Sequence, residues 1–474
     1  MTSDPAGSGL PTDPAGSGLP ADPTGSDVPS GSARLVAERP ARPEPGWVRS
    51  AVWWRIYPLG FVGAFPEPPT GPAHPGEHRL LRVIDWLDHA VALGATGLAL
   101  GPVFASASHG YDTLDHFAID PRLGDDSDFD RLAAAASERG LRLQLDGVFN
   151  HVGRCHPLVQ EALRQGPGGE AMRWFRPAVD ERGRARLGTF EGHDQLVTLN
   201  HDEPAVRAYV VEVMRHWLDR GADAWRLDAA YSVPTGFWAD VLPQVRRSHP
   251  DVWFEAEVIH GDYTAFVAES TADTVTQYEL WKAVWSSIED RNFFELDWTL
   301  QRHNAMLDTF VPATFVGNHD VTRIASRITD PRHLPHAIAL LALLGGTPTV
   351  YAGDEYGLRA VKEERAGGDD AIRPEFPPRP PSATGILHLH RRLLALRRRH
   401  PWLHRARSRA QVLRNRQYVI TLEAGGRALD LALNLDDGEL PLAPGSVLLD
   451  GDASSRVLTG AVAPHGWAIS RPGG

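Results

Sequence analysis

Eight short β-like runs, separated mostly by stretches of helical periodicity, constrain this chain more than any other feature. They read 52–57 (VWWRIY), 96–100 (TGLAL), 141–146 (LRLQLD), 222–228 (ADAWRLD), 252–257 (VWFEAE), 274–277 (TVTQ), 313–317 (ATFVG) and 348–351 (PTVY). Helical patterns at 78–93, 127–139, 204–219, 279–289 and 334–344 lie between them. Largely apolar strands alternating with helices call for a parallel sheet with helices outside it. Eight of them favour closure into a (β/α)8 barrel over an open sheet.

Three of the runs lead into an acid: Asp228 in ADAWRLDAA, Glu257 in VWFEAEV and Asp320 in ATFVGNHD. An unpaired buried carboxylate is costly, so acids at such positions are held or used. In a (β/α)8 barrel the C-terminal strand ends open onto one face, where the three can converge. Paired carboxylates suit glycoside chemistry, in which one attacks and the other donates a proton.

The remaining sequence frames this core. Residues 3–11, 12–20 and 21–29 are three copies of a Gly-, Pro-, Ser- and Asp-rich nonapeptide with almost nothing to bury, so residues 1–45 are expected to form a disordered tail. A barrel over 46–400 follows, with a small inserted subdomain at about 151–200, where Gly, Pro and charged residues show little periodicity. From 401 to 474, short alternating segments such as RNRQYVITLEA and RALDLALNL predict a C-terminal antiparallel β-sandwich.

A formal charge of −12 argues against a nucleic-acid partner. Cys155 is the only cysteine, which rules out an intrachain disulfide. No apolar run has the character of a signal peptide or the length of a membrane span, so no membrane association and a cytoplasmic location are expected. Nothing in the sequence dictates an oligomeric state.

Around the three acids lie segments with a familiar order: HGYDT (109–113), DGVFNH (146–151), Leu199-Asn200, AWRLDAA (224–230), FEAEV (254–258) and FVGNHD (315–320). In these segments the chain resembles the α-amylase family of glycoside hydrolases (family thirteen), from about residue 50 to the end. The resemblance implies a retaining mechanism with Asp228 as nucleophile, Glu257 as acid/base and Asp320 as the third carboxylate. It implies sugar-binding roles for Tyr111, His151, Arg226 and His319, with Asp146 bracing Arg226. It also suggests that Asp112 and Arg373 grip a terminal glucose, as in exo-acting relatives.

Two departures bear on function. Glu255 precedes Glu257 by two residues and shares its strand face, which makes it the alternative proton donor. Ala-Ala-Tyr231 follows Asp228, where endo-acting relatives often carry Lys-His. The resemblance thus implies hydrolysis of α-glucosidic bonds in maltooligosaccharides or related short α-glucans. A transglycosylase or isomerase of the same family, trehalose-forming or glucan-transferring, is the alternative, and a non-catalytic relative is a third. Tyr231, Trp238 and Trp285 are the candidate aromatic acceptor residues. The expected partner is an oligosaccharide. No cofactor is required and no metal site is assigned, although Asn150 stands where many relatives bind calcium, with Asp194 and Asp202 nearby.

Overall fold

The computed structural model describes residues 43–64, 77–365, 367–451 and 460–472. The nonapeptide repeat lies outside them. Eight parallel strands form one sheet: β1 (Trp53–Ile56), β2 (Gly97–Leu100), β3 (Arg142–Gly147), β4 (Ala224–Leu227), β5 (Trp253–Ala256), β6 (Thr274–Val275), β7 (Ala313–Phe315) and β8 (Thr347–Tyr351). Their order is β6-β5-β4-β3-β2-β1-β8-β7. A parallel bridge between Thr276 and Ala313 closes the ring, and the Gln277 N–H donates to the Ala313 carbonyl at 2.9 Å. The chain is therefore a (β/α)8 barrel, as its runs predict.

The helices form because apolar residues recur every three to four positions. In Pro204–Asp219, Val206, Val210, Val213 and Trp217 make one buried face, with Pro204 at the first position and the Glu203 side chain capping the Ala205 N–H. A reciprocal capping box between Asp125 and Asp128 starts Asp126–Glu138. Helices at Thr235–Ser248, Tyr263–Ser270 and Phe294–Met306 complete the outer layer. Among the described residues, no helix is long and apolar enough to cross a membrane.

Strand alternation sorts the barrel interior into layers. At the N-terminal end, Trp53 and Trp253 stack with centroids 5.8 Å apart, and Trp47 meets both edge-on. Val48, Ala51, Ala99 and Ala224 complete this plug. Two residues further along β1 and β5, the interior turns polar. Arg55 Nη2 lies 3.5 Å from Glu255 Oε1, and Gln144 Nε2 donates to Glu255 Oε2 at 3.0 Å. The next layer is the barrel mouth.

The segment after β3 folds as a small subdomain. His193–Thr198 runs antiparallel between His151–Gly153 and Thr189–Phe190, flanked by helix Pro157–Gln165 and the hairpin Pro177–Val179/Ala185–Leu187. Beyond helix Gly385–Arg399, strands β9 (Arg407–Leu413), β10 (Gln417–Ala424), β11 (Arg427–Asn434), β12 (Val447–Gly451) and β13 (Trp467–Arg471) form an antiparallel sheet in the order β9-β10-β11-β13-β12. One face, carrying Tyr418, Ile420, Leu431 and Trp467, joins the barrel's core. The other packs on a two-stranded ribbon, Leu440–Pro441 with Ala461–Val462. The sandwich is thus five strands against two. His336 Nε2 ties it to the barrel by donating to the carbonyls of Asn434 and Gly466.

Gly97 is the tightest point of the plug, because a Cβ there would lie 2.4 Å from the Trp53 ring. Overpacking of this kind costs ~1–3 kcal/mol. Gly97→Ala should therefore lower the urea unfolding midpoint while leaving ligand affinity at the far end of the barrel unchanged. An unaltered midpoint would show that the plug is loose.

Candidate active site

Asp228, Glu257 and Asp320 meet at the C-terminal end of the barrel, with Tyr111, His151 and Arg373 around the same cavity. Arg226 on β4 projects inward, 2% exposed. Its Nη1 donates to both oxygens of Asp146 on β3, at 2.7 and 2.9 Å, and to Asp228 Oδ1 at 3.2 Å. Its Nη2 lies 2.5 Å from Glu257 Oε1 and 3.9 Å from Asp320 Oδ2. One guanidinium thus faces four carboxylates. The bracing role expected of Asp146 is present as a two-pronged ion pair.

Asp228 and Glu257 extend two adjacent strands in register, since Leu227 pairs with Ala256 and the Glu257 N–H donates to the Leu227 carbonyl at 2.9 Å. Neighbouring strands lie about 4.8 Å apart. Ala229, directly after Asp228, adopts a left-handed conformation (φ 45°, ψ 36°), and its N–H donates to Glu257 Oε2 at 2.9 Å.

Asp320 faces this pair from the β7 side. It accepts from Arg373 Nη2 at 2.8 Å and lies 3.2 Å from His319 Nε2. His319 lies nearly parallel to Tyr57, at a centroid distance of 5.8 Å, and edge to edge with Tyr111, whose hydroxyl it bonds. Arg373 lies over the Tyr57 ring, 4.6 Å from its centroid, and donates to the His319 carbonyl.

Two expected sugar-binding residues behave differently. Asp112 does not reach the cavity: its carboxylate is taken by the Ser108 N–H and hydroxyl, at 3.0 and 2.5 Å. The acid that pairs with Arg373 besides Asp320 is Asp369, at 3.0 Å. The four-residue spacing within Asp369–Arg373 was the sequence signal for this pair. His151 lines the cavity, but both ring nitrogens are engaged. Nδ1 accepts from Asn150 Nδ2, which leaves Nε2 to donate to the Tyr111 carbonyl. Its outward contact is a stack with Phe190 at 4.8 Å.

Of the aromatic candidates, Tyr231 lines the cavity and its hydroxyl donates to Glu191 Oε1 at 2.7 Å, whereas Trp238 is wholly buried core. Trp285 packs against the core beneath Arg327. Glu255 lies one layer below the mouth, bonded to Arg55 and Gln144, and is out of reach as a proton donor.

The cavity these groups enclose measures about 490 Å³, within the range of small-ligand sites. Phe190, His193 and Leu196 of the inserted subdomain close one side, and Lys362, Asp369 and Asp370 beyond β8 close another. Lys362, Phe190 and Tyr278, which also line the cavity, had no signal of their own in the sequence.

Electrostatics divides the three acids. Burial, and then the charge of Glu257, push Asp228 well above the usual carboxylate range against the pull of Arg226. Asp320 goes the other way. Burial would raise it, but His319, Arg373 and Arg226 together hold it below the usual range.

Calcium, which the resemblance raises for Asn150, does not fit the donors present. Asn150 Oδ1 is a buried oxygen without a hydrogen-bond partner, but the Asn150 carbonyl already accepts from Leu199 N–H. One free oxygen falls far short of the six to eight this ion takes. Among the described residues, the groups of three His, Cys, Asp or Glu with converging ligand atoms are Asp330–His333–His465 and His78–Asp125–Asp128. Neither includes Asp194 or Asp202.

Comparison with known families gives a match to "Alpha amylase, catalytic domain" over residues 76–376. The chain belongs to the α-amylase family. A cyclomaltodextrinase of a Bacillus species is 31% identical over 343 residues, 66% of this chain and 60% of the relative. A maltogenic α-amylase of Bacillus acidopullulyticus is 29% identical over 76% of this chain and 64% of its own length. The chain thus spans about three-fifths of the length of these curated α-amylase-family relatives. Among solved structures, the ligand-free cyclic α-maltosyl-(1→6)-maltose hydrolase of Arthrobacter globiformis superposes with a TM-score of 0.74 at 27% identity, covering 90% of this chain and 99% of that one. A Nostoc punctiforme debranching enzyme, at 23% identity and a TM-score of 0.75 over 90% of this chain and 99% of its own, shares the fold.

The depressed Asp320 generates a prediction of sign. Arg373 is one of four side chains favouring its charged form, with His319, Arg226 and Lys362, so Arg373→Met raises the pH at which Asp320 takes up a proton. The Asp320 carboxyl signal in a ¹³C NMR titration should then move at higher pH than in the parent, whereas the acid limb of kcat/KM, governed by the raised Asp228, should stay in place. Titrating both proteins checks this; coincident Asp320 titrations would show that Arg373 does not act on Asp320.

Proposed function

We propose that this protein is a retaining glycoside hydrolase acting on α-glucosidic bonds of maltooligosaccharides or related short α-glucans. The observation that carries the reading is the in-register placement of Asp228 and Glu257 on adjacent strands beside one arginine. Retaining enzymes hold their two carboxyl groups about 5–5.5 Å apart, too near for an intervening water. Strand spacing supports that separation.

In this reading Asp228 attacks the anomeric carbon to form a glycosyl-enzyme, while Glu257 protonates the departing oxygen and then deprotonates water. Glu257 accepts from Ala229 N–H and Tyr278 and bonds Arg226, whereas Asp228 meets Arg226 alone among these donors. Asp320, fixed as an anion by Arg373 and His319, favours the positively charged transition state. Arg226 restrains all three acids.

Short substrates are supported by the walls of the cavity. Lys362 Nζ lies 3.3 Å from Asp369 Oδ1, and Asp369 also binds Arg373, so the loop beyond β8 is tied across one end of the site. Relatives named for cyclic or short substrates, such as cyclomaltodextrinase and maltogenic α-amylase, agree with this. The chemistry needs no organic cofactor, and the donor set argues against a required calcium. A relative named intracellular maltogenic amylase, from Bacillus subtilis, supports a cytoplasmic location.

The test is product analysis on maltoheptaose and on a panel of α-linked disaccharides, with the anomeric form of the first product followed by NMR. Release from chain ends with retained configuration is expected. Mid-chain fragments appearing first would overturn the short-substrate reading, and inverted products would overturn the mechanism. Products longer than the substrate would favour the transferase alternative. Asp228→Asn should lower kcat by about 10³-fold or more, the scale on which loss of a catalytic group acts. Dialysis against EDTA should leave the rate unchanged.

A further inference from the structure

Tyr278 occupies the start of the helix after β6, 8% exposed, and lines the cavity. Its ring is clamped edge-on by Phe315 at 5.0 Å and Trp281 at 6.1 Å, within a small apolar cluster that also holds Val321. The hydroxyl has two partners: Glu257 Oε1 at 3.1 Å and Asn318 Nδ2 at 3.0 Å.

The direction of these bonds is determined. The backbone N–H of Asp320 donates to Asn318 Oδ1 at 2.9 Å, which fixes the oxygen of that amide and turns its NH2 towards Tyr278. The phenol oxygen therefore accepts from Asn318, and among the described residues its proton goes to Glu257. Burial, followed by the charges of Glu257 and Asp320, raises Tyr278 far above the usual phenol range, so it remains a donor. A one-way chain thus runs Asp320 N–H to Asn318, Asn318 to Tyr278, and Tyr278 to Glu257. It links the backbone of one proposed catalytic acid to the carboxylate of another across the barrel mouth.

We infer that Tyr278 is a positioning residue, oriented by Asn318, that holds the Glu257 carboxylate in the form and rotamer needed to activate the incoming water. This rests on the retaining reading above. A donor on Glu257 favours its ionised form, which the second half of a double displacement requires and the first half opposes. Around the same carboxylate stand Arg226 on β4, Asp228 beyond it, Asp146 on β3 and Asp320 beyond β7, none of which the variants below alter.

The experiment uses the full chain and its Tyr278→Phe and Asn318→Ala variants. Each is followed on maltotriose and on an aryl α-maltoside with a good leaving group, with thermal unfolding measured alongside. Phenylalanine keeps the ring and its packing. Loss of one hydrogen bond to a charged group corresponds to a shift of about one pH unit. In Tyr278→Phe, the alkaline limb of kcat/KM should therefore move upward by about that amount. The kcat should fall roughly tenfold, with KM changed less than about threefold, a fraction of the ~10²–10⁴ that general acid–base catalysis contributes. On the aryl substrate, slowed hydrolysis of the glycosyl-enzyme should appear as a burst of released phenol. Asn318→Ala, which retains the tyrosine but not its orientation, should move the limb the same way by a smaller amount. Variants whose pH profiles superimpose on the parent, with or without a lower melting temperature, would overturn the inference and leave Tyr278 a packing residue. If the parent protein itself shows no retaining α-glucosidase activity, it is the functional reading that fails.

Discussion

The barrel mouth is organised by one buried cation. Removing a guanidinium from water is expensive, and it is tolerated only where anions and hydrogen-bond acceptors replace the lost hydration. Arg226 has those acceptors on every side: Asp146 grips it from β3, and Asp228, Glu257 and Asp320 approach from the direction of the cavity. Asp146 is fully buried and committed to Arg226, with Arg55 at 4.0 Å behind it, so the arginine cannot relax towards the substrate side. The remaining acids must accommodate one another around a fixed charge. One cation cannot neutralise them all: burial and then the neighbouring Glu257 raise Asp228, and a second arginine stands at Asp320.

Depth along a strand decides what each acid does. Glu255 and Glu257 share a strand face, two residues apart, yet they belong to different layers. The deeper one satisfies Arg55 and Gln144 in the middle of the barrel, where the Trp53–Trp253 plug excludes water from below. The shallower one reaches the cavity. The polar middle layer has a structural consequence as well. It supplies partners for charges that an apolar barrel core would leave stranded, so the apolar plug and the charged mouth can coexist within a few strand residues.

Much of this was legible before the structure, and the reason is physical. Short apolar runs identify strands because both faces of a barrel strand are buried, and residues two apart share a face, so Arg226 with Asp228 and Glu255 with Glu257 could be aligned by counting. Loop conformation could not be counted. Asp112 precedes β3 in a stretch that resembles a sugar-binding segment, but a local turn delivers the Ser108 N–H and hydroxyl to its carboxylate first. Asp369, one helical turn before Arg373, takes the pairing instead. Likewise Trp238 sits on helix Thr235–Ser248, whose buried face turns it into the core rather than towards the acceptor side. Short-range hydrogen bonds and helix phase, rather than residue type, settled these positions.

The turn after Asp228 shows the same competition resolved in favour of the site. A left-handed alanine costs about 1–2 kcal/mol relative to a relaxed backbone. The surroundings over-determine it. Asp228 N–H is held by the Gly147 carbonyl on β3, and Tyr231 N–H by the carbonyl of Glu257, so the chain enters and leaves the turn on fixed ladders. Within those limits the left-handed Ala229 donates its N–H to Glu257 Oε2. Glycine would adopt the same angles without strain, but its wider freedom would let that N–H wander. The strained alanine therefore trades stability for a fixed relation between the two carboxylates, and it does so at the point where Glu191 of the inserted subdomain, itself left-handed at φ 48°, bonds Tyr231 from above. Strand register brings the pair together; the strained turn and its neighbours hold the angle between them.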